Sequence, residues 1–320
     1  MPTVFLGTNE FAAAVLERLA AAGRERPALV ITRPDRPAGR GRRLASPPVA
    51  ERARALGLAL EQPASVNDPE VLATIERAFA DVRAGADGHA ADADAETVVV
   101  CAFGALVKEP LLSAREILNV HPSLLPRWRG AAPIERAIMA GDTSTGVSIM
   151  RLTAGLDSGP VCLSQAAPIG PADTYGSLAP RLAALGGELL VRALAERPPL
   201  REQPEEGVTY AEKIGPGDRL LDPGRPAVEL ERVVRALAPH IGARVALGAG
   251  TALGVSRAAL LDDGAGAGAS GGQAGLRSSD GRLLLDCTPG VLELLSVKAP
   301  GGREMDAAAY LRGHPLPGRA

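Results

Sequence analysis

Short apolar runs alternate with stretches of helical spacing over much of the chain. Thr3–Gly7, with Val4, Phe5 and Leu6 at its centre, predicts a buried strand. Asn9 is placed to cap a helix over Glu10–Ala22, in which Phe11, Val15, Leu16 and Leu19 share one face. Leu29–Thr32 predicts a second strand, Val49–Leu56 a helix, and the β-branched Val98–Ala102 a third strand. Ile117–His121 and Gly146–Arg151 continue the strands, with a helix over Ala132–Ala140 between them. A long helix over Thr174–Ala195 carries Leu178, Leu182, Leu185, Leu189 and Leu190 at apolar spacing. Strand, helix, strand in this rhythm predicts an α/β domain with a mostly parallel sheet.

The texture changes after residue 195. Glu196–Gly207 is rich in proline and charge and is the best linker candidate. From Val208 onward, short β-like runs are separated by glycine, with one helical pattern near Val228–Ala238, which suggests a small β-barrel or sandwich. The expected division is therefore a first domain over 1–195, a linker over 196–207 and a second domain over 208–320. Two Ala/Gly/Asp-rich stretches, Arg83–Glu96 and Asp262–Gly275, lack periodicity and read as mobile loop insertions. The first holds His89, Asp92 and Asp94, but without liganding spacing they predict no metal site.

Composition narrows the classes further. At 320 residues and 46% hydrophobic content, the chain can bury two cores and is not globally disordered. Its formal charge of -2 excludes a broad basic surface, so any polyanion contact must be local. Three cysteines, Cys101, Cys162 and Cys287, form neither a disulfide framework nor a CxxC pair and fit a reducing cytoplasm. No basic and apolar leader opens the sequence, and no apolar run is long enough to span a bilayer; a soluble, unexported protein is expected. Gly7-Thr8-Asn9 lacks the G-x-G-x-x-G spacing, which argues against a dinucleotide site.

The densest chemistry lies between Ile117 and Ile134. Asn119 and His121 are two apart in a predicted strand, so they project to one side, and Pro122 ends the strand. An amide and an imidazole at a strand's C-terminal end stand where open α/β sheets bind ligands. The same pair is equally compatible with a capped strand end. Asp157, within Gly155-Leu-Asp-Ser-Gly159, is explained locally as a turn residue, and its meaning depends on Asn119 and His121.

Asn119-x-His121-x-Ser123-Leu-Leu-Pro126-x-Trp-Arg-Gly-Ala-Ala-Pro, with Asp157 36 residues beyond His121, resembles the signature of formyltransferases that use 10-formyltetrahydrofolate. Thr32–Leu44, Ala140–Val147, Thr209–Ile214 and Tyr310–His314 extend the resemblance to the family acting on methionyl-tRNA, over nearly the whole chain. The resemblance implies a Rossmann-like formyltransferase domain followed by an OB-like β-barrel. It implies formyl transfer to the amino group of methionyl initiator tRNA, with 10-formyltetrahydrofolate as cosubstrate, no metal, and a monomer. Asn119 would bind the formyl oxygen, and His121 would donate to the oxyanion and shuttle protons. Asp157 would hold His121 or take the amine proton through water. Ser123, Leu124, Leu125 and Pro126 correspond to the folate-contacting loop, and Phe103 and Gly104 to further lining of the pocket.

Arg33–Arg43 holds five arginines and one aspartate, a net +4 over eleven residues, with proline and glycine punctuation that predicts a loop. The resemblance makes Arg36, Arg40, Arg42 and Arg43 candidates for the tRNA acceptor stem, Arg40 aligning best with the family's key loop arginine. The second domain would contact the tRNA body, although Thr209–Ala320 carries a net charge of only +1. The chain departs from the family at Asn9 and Pro122, where Pro and Gly are common. It also lacks aromatics usual near Pro223 and His240–Ile241, so base stacking in the second domain would rely on few rings. A formyltransferase for a small amine such as glycinamide ribonucleotide or an amino-sugar nucleotide shares the Asn, His and Asp, but not the arginine loop with the second domain. A noncatalytic RNA- or folate-binding protein is the reading from another class, and the intact Asn119, His121 and Asp157 argue against it.

Overall fold

A computed structural model describes residues 2–38, 43–85, 96–248, 250–261 and 275–314. The elements run β1 (Thr3–Gly7), α1 (Glu10–Ala20), β2 (Pro27–Ile31), β3 (Arg36–Ala38), β4 (Arg43–Ala45), α2 (Pro48–Ala55), β5 (Leu60–Glu61), α3 (Pro69–Gly85) and β6 (Thr97–Cys101). They continue with α4 (Leu111–Ala114), β7 (Glu116–His121), β8 (Arg129–Gly130), α5 (Pro133–Ala140), β9 (Ser144–Arg151), β10 (Val161–Pro168) and α6 (Tyr175–Glu196). The remainder comprises β11 (Tyr210–Ala211), α7 (Ala227–Leu237), β12 (Ala243–Gly248), β13 (Thr251–Leu260), β14 (Gly275–Ser279), β15 (Arg282–Asp286), β16 (Val291–Lys298), β17 (Glu304–Asp306) and α8 (Ala307–Gly313).

The chain separates into two compact units, the first made of 1–130, 145–167 and 179–210, the second of 131–144, 168–178 and 211–320. The first unit is built on a seven-stranded sheet in the order β10-β9-β7-β6-β1-β2-β5. Its β1, β2, β5, β6 and β7 are parallel neighbours, whereas β9 runs antiparallel to β7. The central strands are buried on both faces, so Val4, Leu6, Ile31, Val98, Val100 and Ile117 pack with Ile75 and Phe79 of α3 in one core. The Asn9 side chain accepts from the Ala12 N–H at 3.1 Å, which starts α1 where the sequence predicts it.

In the second unit, β12-β13-β16-β15-β14 form a sheet with β17 added to β16, open among the described residues. The OB-like expectation thus takes the form of a curled, unclosed sheet. Its apolar face is covered by α7, whose Leu230, Val233, Val234 and Leu237 recur at helical spacing and are buried. Fully burying four such side chains supplies about 1.5–3 kcal/mol each relative to exposure.

Several sequence expectations change. The unit boundary is discontinuous: α5 and the segment 168–178 cluster with the C-terminal residues, because α5 packs on α7. Arg83–Gly85 close α3 and are not loop, while Glu96 is buried and ion-paired with Arg83 and Arg115, so the unpatterned segment narrows to 86–95. Gly275 likewise opens β14. His89, Asp92 and Asp94 lie outside the described residues. The expected arginine loop contains an antiparallel ribbon, with Arg36 opposite Ala45 and Ala38 opposite Arg43.

Candidate active site

Strand β7 delivers Asn119 and His121 to its C-terminal end, and both are buried. His121 Nε2 lies 2.8 Å from the Trp128 carbonyl oxygen, which can only accept, so this nitrogen carries a proton. Nδ1 is then the ring atom facing Asp157, 3.6 Å from its Oδ2. The ring is thus flanked by a hydrogen-bonded carbonyl on one side and a carboxylate on the other.

Asp157 sits in the left-handed region at φ 44°, which a short polar side chain tolerates better than most. Its Oδ2 accepts from the Gly130 N–H at 2.8 Å, so the same oxygen is shared between a backbone donor and the imidazole. Gly159 closes the turn where a Cβ would stand 2.0 Å from the Arg151 carbonyl oxygen.

The segment after β7 folds on itself. Ser123 is fully buried, and its hydroxyl donates to the Arg127 carbonyl at 2.6 Å while its N–H donates to His121 O. In this structure the serine shapes the loop from within. Leu124, Leu125 and Pro126 are half-buried, as are Arg127 and Trp128 after them. Ser148 on β9, opposite His121 in register, donates to Ser123 O at 2.8 Å and accepts from the Leu125 N–H at 3.2 Å. Close approach at Gly146 seats Leu124, since a Cβ there would lie 2.6 Å from Leu124 Cδ2 and 2.2 Å from Gln165 O. Trp128, at φ 62°, occupies a conformation unusual for a bulky residue, and Thr209 Oγ1 accepts from its N–H at 2.9 Å. The Arg129 N–H, in the same peptide unit as the Trp128 carbonyl, donates to Thr209 O at 2.9 Å and so helps fix the carbonyl that faces His121. Ser148, Gln203 and Thr209 were not read from the sequence as site residues, because their partners lie 25, 46 and 81 positions away.

Phe103 is buried, and its carbonyl accepts from Thr8 Oγ1 at 2.7 Å; Gly104 has φ 72°. Both line a cleft of about 360 Å³ with Thr8, Arg33, Arg36 and Ser46. The cleft brings candidate folate residues beside the base of the arginine ribbon. Leu106, two residues past Gly104, is 68% exposed on a loop pinned by Asn67, which accepts from Lys108 N–H and donates to Leu106 O.

The ribbon's base is anchored by Gln62, which donates to Arg33 O and to Asp35 Oδ1. Hydrogen bonds from Gln62 and Ser46 hold the Asp35 carboxyl below its ordinary pKa and occupy it locally. Arg36 is exposed. Arg43 is placed in β4 by its backbone, and Arg40 and Arg42 lie outside the described residues. Among the described residues, no cluster of His, Cys, Asp and Glu could hold a metal.

Residues 1–194 match the formyl transferase family, and residues 213–315 match the formyl transferase C-terminal domain. Over 323 residues the chain is 43% identical to a methionyl-tRNA formyltransferase of Dinoroseobacter shibae, covering 100% of this chain and 99% of that protein. The chain belongs to the methionyl-tRNA formyltransferase family. A second member of that name, from Aromatoleum aromaticum, is 41% identical over 99% of this chain and 95% of its own length. Among solved structures, HypX from Aquifex aeolicus in complex with tetrahydrofolic acid shares the fold, with a TM-score of 0.56 and 15% identity. That similarity covers 97% of this chain, which spans about half of HypX (46%). The family assignment makes the chain a formyltransferase, and no helix among its described residues is long and apolar enough to cross a membrane.

Proposed function

We propose that this formyltransferase moves the formyl group of 10-formyltetrahydrofolate onto the α-amino group of methionyl initiator tRNA, with Asn119, His121 and Asp157 carrying the chemistry. The observation that carries this reading is the buried imidazole at the end of β7, held between a carbonyl and a carboxylate. The amine attacks the formyl carbon, a C–N bond forms, and the carbonyl electrons move to oxygen. Asn119 donates to that oxyanion. His121 exchanges the Trp128 carbonyl for the oxyanion as the stronger acceptor. Collapse of the intermediate breaks the bond to N10 of the folate, and N10 takes a proton from His121. The amine nitrogen, positively charged once the C–N bond has formed, gives its surplus proton through water to Asp157, which passes one to the imidazole in place of the proton lost to N10. Products are formylmethionyl-tRNA and tetrahydrofolate. Removing an oxyanion donor of this kind costs roughly 3–4 kcal/mol.

Leu124, Leu125 and Pro126 give the pterin an apolar wall, Phe103 and Gly104 add further lining, and Ser123 fixes the loop's shape. Arg36, Arg40, Arg42 and Arg43 meet the acceptor stem, guanidinium groups suiting phosphates and unpaired bases. Residues 1–195 form the catalytic portion, 196–207 the linker and 208–320 the tRNA-contacting portion of a cytoplasmic monomer. The three free thiols support a reducing compartment.

Purified protein given 10-formyltetrahydrofolate and methionyl-tRNA, initiator or elongator, should yield formylmethionine with initiator preferred. Transfer to neither tRNA sinks the reading. His121→Ala should abolish turnover with modest loss of tRNA affinity, and an unchanged kcat would remove His121 from the chemistry.

A further inference from the structure

Gln203 lies in the segment that the sequence marks as linker, yet its amide is fully engaged in the first unit. Nε2 donates to the carbonyl oxygens of Asp157, at 2.8 Å, and Gly159, at 2.7 Å. Oε1 accepts from Arg129 Nε at 3.0 Å and Nη2 at 2.7 Å. Two N–H groups meet two carbonyls and one carbonyl meets a guanidinium, so all of the amide's hydrogen-bonding capacity is used. The orientation is forced: a flipped amide would set its oxygen against two carbonyls and its NH₂ against a cation.

The consequence reaches the site through two arms. One arm grips the backbone of the turn that holds Asp157 in its left-handed conformation. The other fixes Arg129, whose neighbour Gly130 donates to Asp157 Oδ2 at 2.8 Å. Both the position of the Asp157 main chain and the donor that aims its carboxylate at His121 therefore converge on one side chain. A bare linker would need neither.

We propose that Gln203 is a positioning residue that sets the Asp157 carboxylate against His121, so that the segment between the two sequence domains completes the catalytic geometry. This rests on the assignment of Asp157 above. Gln203 touches no reacting atom; it acts through the Asp157 turn and through Arg129. Misplacing a reacting group by about 1 Å can lower the rate on the order of 100-fold.

The test uses the full-length enzyme with both substrates. Gln203→Met keeps the side chain's length and removes all four hydrogen bonds. Its kcat should fall roughly 10- to 100-fold, with KM for folate and for tRNA within about 2-fold of the parent. Gln203→Glu retains the Arg129 arm, turns a carboxylate toward two carbonyls, and should show the same kcat loss even if the Met variant folds poorly. In combination with Asp157→Asn, Gln203→Met should add little further loss, because the group it positions is already gone. A kcat equal to the parent's in Gln203→Glu, a defect confined to KM, or fully multiplicative losses in the double variant would overturn the proposal. Full activity of Asp157→Asn alone would overturn the Asp157 assignment and this proposal with it. An inactive Asp157→Asn beside a fully active Gln203→Glu would overturn only the positioning role.

Discussion

Ser148→Ala tests whether the loop after β7 is held from the neighbouring strand. The hydroxyl bridges two backbone groups, donating to Ser123 O and accepting from the Leu125 N–H, at 2.8 and 3.2 Å. Ser148 and Ser123 are both fully buried, so no bulk water replaces the lost partner at Ser123 O. An unsatisfied buried acceptor costs about 1–3 kcal/mol, and the longer bond adds about 0.5–1.5 kcal/mol. The sum, about 1.5–4.5 kcal/mol, falls on the loop that carries Leu124, Leu125 and Pro126. Trp128, the single tryptophan of the chain, lies in the same loop, so its fluorescence in a urea titration reports the local transition. With an m-value of about 2 kcal/mol/M, the midpoint should drop by roughly 0.8–2.3 M. KM for 10-formyltetrahydrofolate should rise at least about tenfold, since 1.4 kcal/mol of loop order lost before binding has that effect. Ser148→Thr keeps the hydroxyl and should fall between the two. A Trp128 transition displaced by less than about 0.5 kcal/mol, together with an unchanged KM, would refute the claim that Ser148 holds the loop.

Three further outcomes are expected. Gly159→Ala forces a Cβ to 2.0 Å from a backbone oxygen, so the Asp157 turn must move; kcat should fall at least about tenfold, and wild-type turnover would show that the turn's geometry is not critical. Arg36→Ala should weaken methionyl-tRNA use and reduce by about one the slope of log affinity against log salt, whereas a salt dependence identical to the parent's would exclude Arg36 from phosphate contact. Burial, followed by the nearby Glu135 charge, pushes the Tyr175 phenol up to about 12 from its ordinary value of 10.0. Because the folded value is the higher one, this stabilising contribution is complete below pH 10 and lost as pH climbs toward 12. Ultraviolet titration should show a late phenolate phase that Tyr175→Phe removes; a single phase near 10 in the parent would contradict it.

The central strands were legible in the sequence because burial on both faces demands continuous apolar runs, as at Thr3–Gly7 and Val98–Cys101. Helix α3 was not, since its Ala-rich C-terminal turn merges into the Ala/Gly/Asp stretch and blurs the periodicity. Strand β10 went unread because it is an edge strand with a half-exposed pattern, Val161–Pro168. In the candidate site, Asn119 and His121 announce themselves by their spacing on one strand. Gln203, Thr209 and Ser148 do not: they bond to partners 46, 81 and 25 positions away, and no local pattern records such pairs. The arginine segment was legible as charge, but its Pro and Gly hid the ribbon formed by Arg36–Ala38 and Arg43–Ala45.

Glu96 has a consequence for engineering. Its carboxylate is 1% exposed and is gripped by Arg83 from the end of α3 and by Arg115 ahead of β7, so residues 83 and 96 are cross-tied. Closing a longer loop between tied ends costs only about 0.6 kcal/mol for each doubling of its length. The stretch 86–95 is therefore a graft point: a peptide tag or a small reporter domain with adjacent termini can be spliced there while β6 keeps its register.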